Sequence, residues 1–74
     1  MVTNYFHRNL PVLRKCKGHS QYSVAEKLNV SRSTYSSWEE YRATPSLDKL
    51  IQISDFYGIT LDVLLKEDLS KANN

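Results

Sequence analysis

Residues 20–38 read Ser20-Gln21-Tyr22-Ser23-Val24-Ala25-Glu26-Lys27-Leu28-Asn29-Val30-Ser31-Arg32-Ser33-Thr34-Tyr35-Ser36-Ser37-Trp38. Ser20 and Ser31 each stand where a side-chain oxygen can accept from the free N–H groups that open a helix, so both are read as N-caps. After Ser20, the apolar residues Val24, Ala25 and Leu28 recur at the spacing of one helical face. Asn29 belongs to the few residues that take the left-handed conformation cheaply, and it turns the chain. Val30 then points back toward the core, and the helix after Ser31 has Tyr35 and Trp38 on its inward side. Its opposite side carries Arg32, Ser33, Ser36 and Ser37, which are small or hydrogen-bonding. The stretch therefore reads as two short helices joined by a tight turn.

Outward from this pair, Leu10, Leu13, Arg14 and Lys17 have helical spacing and Gly18 ends that segment. Proline is tolerated only near a helix start, so Pro11 places the beginning of the first helix at about Asn9. Residues 3–8 become a looser lead-in anchored by Phe6. On the other side, Ala43-Thr44-Pro45 breaks the third helix. Ser46 caps a fourth that runs to Tyr57, with Leu47, Leu50, Ile53, Ser54 and Tyr57 inward, and Gly58 ends it. Thr60 caps a short fifth helix from Leu61 to about Lys66, in which Leu61, Leu64 and Leu65 close the core. The expectation is an all-α, compact five-helix domain over residues 1–67, followed by a polar, frayed tail at 68–74.

Seventy-four residues with 41% hydrophobic and 24% charged side chains fit one small globular domain. Cys16 is the single cysteine, so no intrachain disulfide forms and a reducing compartment suits the chain. The start, Met1 to Asn9, lacks the apolar run of a signal peptide. The apolar cluster from Ile59 to Leu65 is interrupted by Thr60 and Asp62 and is far too short for a bilayer. A cytoplasmic protein without membrane contact is expected. The net charge is +2, unevenly spread: residues 1–45 hold seven basic against three acidic groups, and residues 46–74 hold three against five. A basic half opposed to an acidic one suits a single face that meets phosphates.

Two helices, a tight turn and a polar outer face on the second helix form the helix-turn-helix pattern, and that pattern points to DNA. Several further pieces stand in order: Leu13-Arg14-Lys15 with Gly18, Ser20-Gln21, Ala25-Glu26-Lys27-Leu28 and Val30-Ser31-Arg32-Ser33-Thr34. Trp38-Glu39, Pro45-Ser46-Leu47 and Gly58-Ile59-Thr60-Leu61-Asp62 follow. Together, from about Leu10 to Leu65, they resemble the Cro and lambda-repressor type of helix-turn-helix domain. The resemblance implies a sequence-specific transcription regulator, expected to be a repressor, that sets the helix over residues 31–40 into the major groove.

The same resemblance places Arg32, Ser33 and Ser37 against base edges, with Thr34 and Ser36 beside them. A guanidinium can bond guanine O6 and N7 together, whereas serine hydroxyls discriminate poorly. It places Gln21 on a phosphate at the start of the second helix, grouped with Ser20, Ser31 and Arg42 as backbone contacts. Lys15, Lys17 and Lys27 contribute to the long-range field. Arg14 and Glu39 are assigned to a structural salt bridge between the first and third helices. Phe56, Leu61 and Val63 are assigned to the contact of a homodimer on a pseudo-palindromic operator. No cofactor, metal or small-molecule ligand is expected.

Departures from the pattern carry expectations of their own. Glu40-Tyr41 stands where the family has Asn-Gly, so Tyr41 should resist the left-handed conformation and the third helix should run longer. The Glu40 carboxylate should weaken binding to a DNA backbone. Tyr35 and Trp38 replace aliphatic residues, and each needs a partner for its polar atom when buried. His19 is read as a half-buried structural imidazole. Cys16 and His19 have a metal-like spacing but lack a second pair, and the chain has no glycine-rich phosphate loop, so an enzyme is not expected. The rival reading is a helix-turn-helix module that binds protein, or the antitoxin of a toxin–antitoxin pair.

Overall fold

Four side-chain caps set the helix starts in the computed structural model, which describes residues 4–71. Ser20 accepts from the Ser23 N–H at 3.0 Å, Ser31 from Thr34 at 3.1 Å, Ser46 from Lys49 at 3.3 Å and Thr60 from Val63 at 3.1 Å. Each satisfies one of the orphan donors of a first turn. The helices are α1 (Phe6–Cys16), α2 (Gln21–Lys27), α3 (Arg32–Glu39), α4 (Leu47–Tyr57) and α5 (Leu61–Lys66). A single 3-10 turn, Leu69–Lys71, follows. No strand occurs among the described residues, and none of their helices is long and apolar enough to cross a membrane. Asn29 turns the chain between α2 and α3 with φ 63°, and Gly58 closes α4 with φ 68°.

Three expectations about the elements are corrected. First, α1 begins at Phe6 and Pro11 lies inside it. Pro11 forfeits one ladder bond, but Phe6 and Leu10 are sealed in the core at 1% and 0% exposure, and their burial outweighs that loss. Second, α3 stops at Glu39, and Tyr41 does adopt the left-handed conformation, with φ 64°. The strain is balanced locally: the Arg42 and Ala43 N–H groups both donate to the Ser37 carbonyl, at 2.9 and 3.3 Å. The Tyr41 ring also lies 4.9 Å from that of His7. Third, Leu47 points outward, 65% exposed. It is the first residue of α4, and the inward face of that helix starts a turn later, at Leu50.

The core is built from Phe6, Leu10, Val24, Ala25, Leu28, Tyr35, Trp38, Ile53, Tyr57 and Leu64, with Leu13, Val30, Leu50, Phe56, Ile59, Leu61 and Leu65 packed around it. Asn9 and Arg8 tie α1 to the segment after α5 across this core. Asn9, fully buried, donates to the Leu64 and Glu67 carbonyls at 2.8 and 2.7 Å and accepts from the Leu69 N–H at 3.0 Å. Arg8 pairs with Asp68 at 3.0 Å. Residue 3 of the expected lead-in and residues 72–74 of the expected tail lie outside the described residues. A second stitch closes the turn between α2 and α3: Lys49 Nζ on α4 donates to the Leu28 carbonyl at 2.6 Å.

Candidate nucleic-acid interface

The angle of α3 is set by one carboxylate. Glu39 Oε2 accepts from Arg14 Nε at 2.7 Å and from the Tyr35 hydroxyl at 2.6 Å. Its Oε1 accepts from Gln21 Nε2 at 2.9 Å and from the second arm of the Arg14 fork at 3.3 Å. The side chains of Arg14 and Glu39 are only 13% and 8% exposed. The guanidinium also donates to the His19 carbonyl at 3.1 Å. One residue thus ties α1, α2 and α3 together, and the fork fixes orientation as well as distance. Burial pushes the Glu39 carboxyl up, but the bonds from Arg14, Tyr35 and Gln21 outweigh it and hold the group below its ordinary value. Burial, then the bond to Glu39, pushes the Tyr35 phenol far up, so it stays a donor. The partner Tyr35 was expected to need is Glu39.

Around this frame, Ser31, Arg32, Ser33 and Thr34 form an exposed first turn of α3. The Ser31 hydroxyl donates to Thr34 Oγ1 at 2.8 Å and lies 3.3 Å from Ser33 Oγ. Beside it opens a depression of about 350 Å³ bordered by Tyr22, Glu26, Asn29 and Arg32. Tyr22, 67% exposed, sits next to Gln21 and was passed over in the sequence because it belongs to no apolar face.

Ser36 and Ser37, also expected on the reading face, are far less open than Ser31 to Thr34. Both are buried, at 9% exposure. Ser36 Oγ donates to Glu40 Oε2 at 2.7 Å, and Ser37 Oγ donates to the Thr34 carbonyl at 2.6 Å. The loop after α3 folds back onto the Ser37 carbonyl, which accepts from the Arg42 and Ala43 N–H groups. Gln21 has one amide N–H committed to Glu39, so only its other N–H is left for a phosphate. The Arg42 side chain is 62% exposed, with Nε on Glu40 at 2.9 Å. Ser20 is exposed at the opening of α2.

The residues expected at a dimer contact are each half-buried. Phe56 lies between the rings of His19, at 5.6 Å, and Tyr57, at 4.9 Å, and Leu61 packs on the core. The half-buried imidazole expected at His19 is found there. Leu47 and Ile51, one turn apart on α4, are more open, at 65% and 42%. His7 has a structural role that no local pattern in the sequence signals. A carbonyl can only accept, so His7 Nδ1 carries the hydrogen it gives to the Trp38 carbonyl at 2.6 Å, while Nε2 lies 3.5 Å from Thr44 Oγ1. This ring anchors the end of α3 and the loop that holds Arg42. Among the described residues no group of three His, Cys, Asp or Glu side chains could hold a metal ion.

The geometry of two capped helices around a left-handed Asn29, clamped to α1, defines a class of protein, and comparison with known proteins agrees with it. The helix-turn-helix family model matches residues 13–64. The chain is 40% identical over 60 residues to the HTH-type transcriptional activator BcrR of Enterococcus faecalis, covering 81% of this chain and 29% of that protein. It is 34% identical over 67 residues to the HTH-type transcriptional regulator ImmR of Bacillus subtilis, covering 89% and 53% respectively. It spans about half or less of the length of these two relatives. The crystal structure of a transcriptional regulator from Listeria innocua superposes with a TM-score of 0.82 at 28% identity, over 93% of this chain and 70% of that one. The chain belongs to the Cro/C1-type helix-turn-helix family, a family of DNA-binding transcription regulators.

Proposed function

We propose that this chain binds a specific DNA sequence as a cytoplasmic transcription regulator, with α3 in the major groove and no cofactor. Occupying an operator in this way represses transcription. The observation that carries the reading is Arg32, an exposed guanidinium on the first turn of a helix whose angle is locked from behind by Arg14 and Glu39. Arg32 is assigned to a guanine edge, with Ser33 and Thr34 beside it as weaker readers. Buried Ser36 and Ser37 act by shaping the turn, which reduces the direct readout to few side chains and leaves more to water and DNA shape. Ser20, Gln21, Ser31 and Arg42 are assigned to phosphates.

Selection of bound duplexes from a random pool tests the reading and supplies the operator. On that operator Arg32→Ala should cost about 1–3 kcal/mol and relax preference at one base pair. Arg42→Ala should weaken all sequences alike and flatten the salt dependence of log K by about 0.9 per lost phosphate contact. An Arg32→Ala protein with unchanged affinity and unchanged preference would rule out the assignment of α3.

One domain covers a short half-site, so two copies related by a two-fold axis are proposed on half-sites about one helical turn apart. The seam is assigned to Phe56, Leu61 and Val63, each of which keeps part of its side chain uncovered. Titration of the palindrome, followed by sedimentation, should show two chains per duplex, the second bound more tightly than the first. A complex that stays at one chain per palindrome at high protein concentration would count against the dimer.

A further inference from the structure

Glu40 stands at the end of α3 with both carboxylate oxygens held. Oε1 accepts from Arg42 Nε at 2.9 Å and Oε2 from Ser36 Oγ at 2.7 Å. The side chains of the ion pair are 62% and 54% exposed, so the pair lies on the surface and is cheap to open. The Ser36 bond first, then Arg42, and more weakly the charge of Arg32, hold the Glu40 carboxyl below its ordinary value. A permanent negative charge is thus fixed in the field of the two arginines assigned to DNA. A network of this kind has no role in the core, which closes without it.

We propose that Glu40 is a counter-charge built into the DNA face: it occupies Arg42 in the free protein and holds down sequence-independent affinity. This rests on the DNA-binding reading above. When Arg42 turns to a phosphate it must leave a carboxylate behind, close to the same backbone, and that carboxylate offsets one counterion's worth of attraction. The consequence is a lower affinity for duplexes of every sequence alike, with the ratio of operator to non-specific binding left unchanged. Ser36, buried and donating, is the positioning residue that keeps the carboxylate beside the helix end.

The test is Glu40→Gln, which keeps an acceptor for Ser36 and removes the charge. Binding is measured on the selected operator and on a random duplex between 50 and 200 mM salt. The variant should bind both duplexes more tightly than wild type. Its advantage should shrink about 3- to 4-fold across that range, as one extra counterion released at a slope of about 0.9 requires. Glu40→Ala should behave alike, and thermal melting of both should confirm that they fold. Unchanged affinity or an unchanged salt slope in a folded variant would overturn the counter-charge. So would a loss confined to the operator, which would make Glu40 a reader of a base amino group. A wild type that selects no sequence and binds no duplex would instead overturn the DNA-binding reading itself.

Discussion

Glu39→Ala should destabilise the free protein by about 3–5 kcal/mol, the largest effect expected of any single substitution here. The carboxylate is the common acceptor for Arg14, Tyr35 and Gln21, and its removal strands a guanidinium that is only 13% exposed together with a buried phenol hydroxyl. Urea unfolding followed by far-UV circular dichroism measures the loss. Arg14→Ala should be nearly as costly, because it leaves Glu39 charged and buried. The double substitution should cost clearly less than the two single losses added, since the partners share one interaction. If Arg14 instead served to hold DNA, Arg14→Ala would leave stability near wild type and weaken binding only.

The pH dependence has a defined sign. The folded protein holds the Glu39 carboxyl below its ordinary value of 4.5. A depressed carboxylate contributes stability that is complete above that value and is lost as the pH falls below it toward the folded value. Stability measured from pH 6 downward should therefore drop below about pH 4.5 in wild type, and Glu39→Gln should lack that component of the slope.

Asn9→Leu should cost roughly 2–4 kcal/mol, from three hydrogen bonds worth about 1 kcal/mol each and the buried groups left without partners. Leucine keeps the branched four-atom skeleton of asparagine and is the bulkier of the two, so no cavity opens to account for the loss. The partners left behind are the Leu64 and Glu67 carbonyls and the Leu69 N–H. The protein should also become more open to proteolysis after Glu67, because Asn9 anchors that segment to α1. Melting temperature and limited digestion report the two effects separately. A variant as stable as wild type would show that water satisfies these groups and that the clamp is dispensable.

Five helices, and the starts of the four that a Ser or Thr caps, were legible in the residues because capping is decided within one turn. Ser20, Ser31, Ser46 and Thr60 each need only an N–H three residues ahead, and Asn29 and Gly58 take left-handed φ values with little penalty. Such signals do not depend on the rest of the chain. The same holds for the exposed turn with Arg32, which follows from the cap at Ser31 and the inward spacing of Tyr35 and Trp38. Pro11 and Tyr41 carried local signals that tertiary contacts overruled. Burial of Phe6 and Leu10 keeps α1 running through the proline, and the paired bonds to the Ser37 carbonyl hold Tyr41 left-handed. Extending α1 to Phe6 would have put Phe6, Asn9, Leu10 and Leu13 on one face and exposed Asn9 as a polar residue aimed at the core.

What the amino-acid order alone determined is therefore local: where the four capped helices start, where the chain turns at Asn29 and Gly58, and which turn presents Arg32. Only the tertiary structure decided which hydroxyls face solvent and which charges are spent inside the protein. Ser36 and Ser37 share an outer face with Arg32 on a helical wheel, yet both are buried in the folded chain. Gln21 and Glu39 lie 18 residues apart and Asn9 and Leu64 lie 55 apart, and no periodicity links such pairs. Their contacts exist because packing brings distant polar groups into a space without water, where each must find a partner or cost the fold its stability.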